Sequence, residues 1–135
     1  NYKLIDMKIH GDERGKLIAI ENLIDIPFEI KRTYWIYDTI PEQIRGNHSH
    51  KNMEQLVIAL DGSCEFELDD GHKKETVVLN RPDKGLYIGK HMWRTIKNFS
   101  YGCKLVVLAS DFYDEKEYIR DYNTFLKEVE AHEMA

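Results

Sequence analysis

Short blocks in which apolar and polar residues alternate run along most of the chain, the period-two signature of strands with one buried face. Residues 2–9 and 16–21 carry it on either side of a turn, Gly11-Asp12-Glu13-Arg14-Gly15. Residues 28–38 form the strongest block, rich in aromatic and β-branched side chains. There Phe28, Ile30, Arg32, Tyr34 and Ile36 share one face, and Glu29, Lys31, Thr33, Trp35 and Tyr37 the other. An Arg and a Tyr on an apolar face need an anionic partner and a hydrogen bond, which either a structural ion pair or a ligand inside a barrel supplies. After a loop at 39–44, strand patterns recur around His48 and over 54–60, 63–68 and 75–79. The last two join through Asp69-Asp70-Gly71-His72 as a hairpin. Residues 81–85 turn, 86–89 and 91–99 read as strands, and the apolar run 104–109 reads as a buried central strand. Beyond residue 114 the period changes. Tyr118, Ile119, Tyr122, Phe125, Leu126 and Val129 fall at helical spacing, with Asp114 as the cap and Glu117 three residues on. The pattern predicts a mostly β single domain over 1–135. A sandwich or small barrel spans about 1–112, and a C-terminal α-helix over about 114–132 packs its apolar face on it or on a partner subunit.

The chemistry concentrates in Arg45-Gly46-Asn47-His48-Ser49-His50-Lys51-Asn52-Met53-Glu54. On a strand His48 and His50 point the same way, and Glu54 has the same parity if the strand runs on without a bulge. Two imidazoles and a carboxylate suit a metal or proton transfer near neutral pH. Composition narrows the field. The 135 residues are 42% hydrophobic and 32% charged, with a net charge of -5, an ordinary globular balance that argues against a general nucleic-acid surface. No run is long enough to span a membrane, and residues 1–12 lack the pattern of a signal peptide, so a cytoplasmic protein is expected. Cys64 and Cys103 belong to no CxxC motif and read as small core residues.

His48-x-His50-x-x-x-Glu54 with a following Gly62 resembles the first motif of the cupin barrels. In a second cupin motif, running from Pro82 through Gly89 to Asn98, the fourth metal ligand would be a His four residues before Asn98. Arg94 stands there, and a guanidinium has no free lone pair for a metal. No metal is expected, with His91 the one imidazole that offers another path. The resemblance extends over nearly the whole chain to the bacterial nucleotide-sugar 3,4-ketoisomerases. It rests on Asp12-Glu13-Arg14-Gly15, on residues 26–34, on residues 45–51, on residues 85–89, on Trp93, on residues 108–115 and on Tyr118-Ile119-Arg120.

That resemblance implies an RmlC-like jelly-roll cupin. It implies cofactor-free conversion of dTDP-4-oxo-6-deoxy-D-glucose to a 3-oxo sugar, feeding 3-amino-3,6-dideoxy sugars for lipopolysaccharide or S-layer glycans. His48 would remove the proton on carbon 3, with His50 and Tyr34 in the proton shuttle. Arg32, Arg45 and Arg81 would hold the diphosphate, Trp93 would either stack on thymine or take a core position, and Glu54 would also contact substrate. Arg14 and Arg94 match positions that differ between galacto-forming and gluco-forming members. The chain combines one residue from each pattern, and Arg14, on a flexible turn, tips the expectation slightly to the galacto product. A homodimer with exchanged N-terminal strands is implied too. Three rivals stand: a metal-dependent cupin using His48, His50, Glu54 and His91, a 3,5-epimerase, and a sugar-sensing cupin that binds without turnover.

Overall fold

Twelve strands and one long helix make up the computed structural model, which describes residues 1–134. One five-stranded antiparallel sheet has the order β1 (Tyr2–Asp6), β9 (Lys84–Ile88), β6 (Gln55–Asp61), β11 (Lys104–Ala109), β4 (Arg32–Ile36). The other has the order β12 (Tyr118–Ile119), β5 (Arg45–His50), β10 (Trp93–Lys97), β7 (Cys64–Asp69), β8 (Lys74–Leu79). A small hairpin, β2 (His10–Asp12) with β3 (Gly15–Leu17), stands apart from both. Two facing sheets are the sandwich or barrel that the alternating pattern predicts, in the jelly-roll cupin form that the resemblance implies.

Period two decides what fills the space between the sheets. Val57 and Ala59 of β6, Phe66 and Leu68 of β7, Leu86 and Ile88 of β9, and Leu105 and Val107 of β11 all point inward into one buried cluster. Cys64 and Cys103 join it as free thiols, as expected of small core residues. Strand β6 is apolar on both faces because its outer side is covered too: Leu56 and Ile58 meet Met7, Ile26, Phe28 and Leu108 in a second cluster. The segment 18–30 that covers it is therefore apolar without being a strand. This is why the strand expected over 16–21 ends at Leu17, and why the one expected over 28–38 begins only at Arg32.

The C-terminal segment corrects the expected helix start. Asp114 caps only a single 3₁₀ turn at Glu115–Glu117, and Tyr118 and Ile119 then pair with β5 opposite His50 and Ser49. Helix α1 (Tyr122–Met134) begins after Asp121, whose carboxylate accepts from the Thr124 backbone N–H at 2.9 Å. Its Phe125 and Val129 are buried with Ile119, against Trp93. Gly71 has φ +97, and a Cβ there would lie 3.0 Å from Val129 Cγ1, so the β7–β8 turn admits the helix only because it lacks a side chain.

Candidate active site

Three strands and one short strand converge on a cavity of about 400 Å³ at one mouth of the barrel. Strand β4 supplies Tyr34 and Ile36, β5 supplies Arg45, Gly46 and His48, β10 supplies Ile96, and the β12 region supplies Tyr118 and Arg120. His48 and His50 lie side by side, as alternation along a strand requires, with ring centroids 4.8 Å apart at 76°. The Tyr118 ring lies 5.1 Å from His48 and 4.5 Å from His50, which closes the group. Behind the imidazoles lies Arg94, opposite His48 in the β5–β10 register. A register shift after Arg94 accompanies positive φ at Gly46 (87) and Asn47 (57). A Cβ on Gly46 would sit 2.9 Å from the Arg94 carbonyl oxygen, so glycine lets the two backbones close on each other here.

Electrostatically the floor is unusual. Arg94 is 2% exposed and faces no carboxylate. Its Nη1 donates to Gln55 Oε1 at 2.6 Å and its Nη2 to the Met92 carbonyl at 3.0 Å. Burial lowers its pKa to about 10, so it remains a cation at neutral pH. Burial first, and the Arg94 charge second, push His48 down to about 4 and His50 down to about 2. Both rings are thus neutral at pH 7, with lone pairs free to take a proton. Both His50 nitrogens, His48 Nδ1 and the Nε atoms of Arg32 and Arg94 are buried without a protein partner. Orphaned polar atoms at one cavity are costly and mark a place built for a ligand. The Tyr34 hydroxyl accepts from Gln55 Nε2 at 3.2 Å, and the Arg32 guanidinium lies over the Tyr34 ring at 5.1 Å and the Tyr113 ring at 5.5 Å.

Not every residue singled out in the sequence arrives here. Glu54 does not join the histidines, because residues 51–54 leave the strand between β5 and β6. Its carboxylate instead accepts from the Tyr87 hydroxyl, and Gln55 takes the inward position. Trp93 faces away from the cavity and packs on α1, 5.3 Å from the Tyr122 ring and 5.7 Å from that of Phe125. Arg81 is exposed and bound to Asp83 at 2.6 Å and 2.7 Å. Arg14 lies at the tip of the β2–β3 hairpin, 87% exposed and paired with Asp12 at 2.6 Å. His91 stacks on His132 of α1 with centroids 4.3 Å apart, outside the cavity. Among the described residues no three His, Cys, Asp or Glu side chains are placed to share a metal ion, so the donor set of the metal-dependent rival is not assembled. Conversely, Tyr118, Arg120 and Gln55 complete the site. The first two were hidden inside an expected helix, and Gln55 sits one residue past the acidic position that the spacing favoured.

Comparison with known proteins covers almost the whole molecule. The family described as FdtA: WxcM-like, C-terminal matches residues 1–130. A TDP-4-oxo-6-deoxy-alpha-D-glucose-3,4-oxoisomerase from Aneurinibacillus thermoaerophilus is 47% identical over 127 residues, 94% of this chain and 91% of that protein. The crystal structure of a 3,4-ketoisomerase from Helicobacter canadensis superimposes with a TM-score of 0.94 at 58% identity, over 96% of this chain and 98% of that one. The WlaRB TDP-quinovose 3,4-ketoisomerase of Campylobacter jejuni gives 0.92 at 57% identity, over 94% of this chain and 98% of that one.

Proposed function

The chain belongs to the FdtA family, and from that premise we propose that it is an isomerase that moves the keto group of dTDP-4-oxo-6-deoxy-D-glucose from carbon 4 to carbon 3. The observation that carries this reading is the pair of neutral imidazoles at 4.8 Å, set beside Tyr34 in a cavity rimmed by arginines. His48 takes the proton from carbon 3, and the electrons of that bond become the carbon 3–carbon 4 double bond of an enediol. The hydroxyl proton on oxygen 3 passes to oxygen 4 through Tyr34 and His50. His48 gives that proton up to solvent, and carbon 4 takes one solvent-derived proton on the opposite face of the ring as the carbonyl forms on carbon 3. Atoms and electrons balance within the sugar, so no oxidant, reductant or metal is consumed.

Developing negative charge on the enediolate meets Arg94, whose cation the protein leaves without a counter-ion. Arg32, Arg45 and Arg120 are the diphosphate candidates, since planar guanidinium groups match phosphate oxygens; Arg45 and Arg120 line the cavity, and Arg32 lies over the ring of Tyr34, which also lines it. In place of Arg81 and Trp93, which the fold directs elsewhere, Arg120 and the exposed Tyr113 serve the nucleotide end.

We further propose a gluco product, reversing the lean that Arg14 suggests. Arg94, the residue of the gluco pattern, is inside the site, whereas Arg14 is at a hairpin tip outside it. The relative named for TDP-quinovose, a gluco-configured sugar, supports this reading. The working unit is a homodimer with exchange at the N-terminus. Ile9, Ile18, Ile20, Ile58, Leu60 and Val106 line an open apolar groove of about 350 Å³, and Trp35 beside it is 65% exposed, a surface that suits a second copy. The unpaired thiols fit a reducing cytoplasm, and the 3-oxo product is the substrate an aminotransferase needs for a 3-amino sugar of surface glycans.

Turnover in D2O tests the base assignment. Deuterium should enter the product at carbon 4, and His48→Asn should abolish both turnover and incorporation while leaving TDP affinity within about twofold. Full activity of that variant would remove His48 from the mechanism.

A further inference from the structure

Gln55, the first residue of β6, is 3% exposed and lies between two groups of the active site. Its amide oxygen accepts from Arg94 Nη1 at 2.6 Å, and its amide nitrogen donates to the Tyr34 hydroxyl at 3.2 Å and lies 3.8 Å from Met53 Sδ. A guanidinium only donates hydrogen bonds, so Arg94 dictates which end of the amide faces it. Arg94 is itself held by the Met92 carbonyl at 3.0 Å and cannot follow a flipped amide. The nitrogen end of Gln55 therefore has to face Tyr34, and the phenol oxygen receives a hydrogen there. The hydroxyl's own hydrogen is then turned away from Gln55, toward the cavity that Tyr34 shares with His48 and Tyr118.

Resting on the ketoisomerase reading above, we propose that Gln55 is a positioning residue for proton transfer: oriented by Arg94, it aims the Tyr34 hydroxyl hydrogen at the substrate oxygens and donates to the phenolate that remains after transfer. A shuttle has to give a proton and take one back, so its deprotonated form must be stabilised as well as its protonated form. Burial opposes the phenolate, and Gln55 heads the groups that oppose that penalty, with the Arg94 and Arg32 charges behind it. A carboxylate at position 55 would reverse the bond. Its oxygen would accept the Tyr34 hydrogen and hold it away from the sugar, although a glutamate fits the same volume and satisfies Arg94 equally well.

Steady-state kinetics on dTDP-4-oxo-6-deoxy-D-glucose test this with four variants: Gln55→Met, Gln55→Glu, Tyr34→Phe and the Tyr34→Phe/Gln55→Met pair. Each single substitution at position 55 should lower kcat roughly tenfold or more, the scale of one hydrogen bond left unmade, with KM within about twofold. Gln55→Glu keeps the Arg94 contact, so a folded protein is obtained even if Gln55→Met proves unstable. In the double variant the Gln55→Met loss should vanish, leaving kcat at the Tyr34→Phe value, because Gln55 acts only through that hydroxyl. A purely structural role would instead carry the same loss into the Tyr34→Phe background, and that result overturns the inference, as does a Gln55→Glu protein with unchanged kcat. Turnover that is insensitive at position 55 overturns this inference alone, whereas absence of turnover by the unsubstituted protein overturns the ketoisomerase reading with it.

Discussion

Acidification should unfold this protein sooner than an ordinary domain, and the two buried imidazoles set the window. In an unfolded chain both histidines titrate near 6.5, whereas in the fold His48 titrates at about 4 and His50 at about 2. Between pH 6.5 and 4 the unfolded state therefore binds protons that the folded state refuses, so stability falls as pH falls. The slope is about 1.4 kcal/mol per pH unit for each histidine, or roughly 2.7 for the pair between pH 6 and 4.5. For His48 alone the loss by pH 4 is on the order of 3 kcal/mol, a sizeable part of the roughly 5–15 kcal/mol that stabilises a typical domain. The exposed His72–Glu133 pair works in the opposite direction, since the carboxylate raises the His72 pKa and stabilises the fold at low pH, but solvent screens it. Urea denaturation at fixed protein concentration, repeated from pH 7 to 4.5, measures the slope directly. His50→Asn should halve it. Stability that is flat or rising as pH falls through this window would refute the claim that the imidazoles are buried as neutral bases beside Arg94.

Arg45 is exposed at the cavity rim, so Arg45→Ala should weaken TDP binding about tenfold with little change in kcat. Isothermal titration calorimetry checks this, and an unchanged affinity would leave Arg45 with a structural role only. Gly71→Val forces a side chain into a backbone with φ +97 and against Val129, and should destabilise the docked helix by about 2 kcal/mol. An unaltered urea midpoint would mean that α1 can move aside freely.

Much of this was legible in the chain because strands with one buried face impose period two on the sequence. The inward set of β4 (Arg32, Tyr34, Ile36) and the shared face of His48 and His50 follow from alternation alone. Alternation fails where the backbone leaves the ladder. The reach from His50 to Glu54 crosses a turn pinned from the other end of the chain: Glu117 accepts from the Met53 backbone N–H at 2.8 Å, and its carbonyl accepts from that of Lys51 at 3.0 Å. Nothing local in residues 51–54 reveals that partner, so the parity of Glu54 passes to Gln55. Tyr118 and Ile119 illustrate the same effect in reverse. Their spacing fits a helix, but pairing with β5 places Tyr118 over both imidazoles and buries Ile119 under α1. Trp93 alternates outward from Arg94, and only the docked helix shows that outward here means a second apolar layer rather than solvent or ligand.

Proton NMR of this protein mixed with dTDP-4-oxo-6-deoxy-D-glucose tests the central claim most directly. The account predicts that the 4-oxo signals fall while those of a 3-oxo sugar grow, without added metal or nicotinamide, and that the couplings of the new proton on carbon 4 are those of the gluco configuration. An unchanged spectrum from a folded protein that still binds TDP would contradict catalysis and make the cavity a sensor of nucleotide sugars.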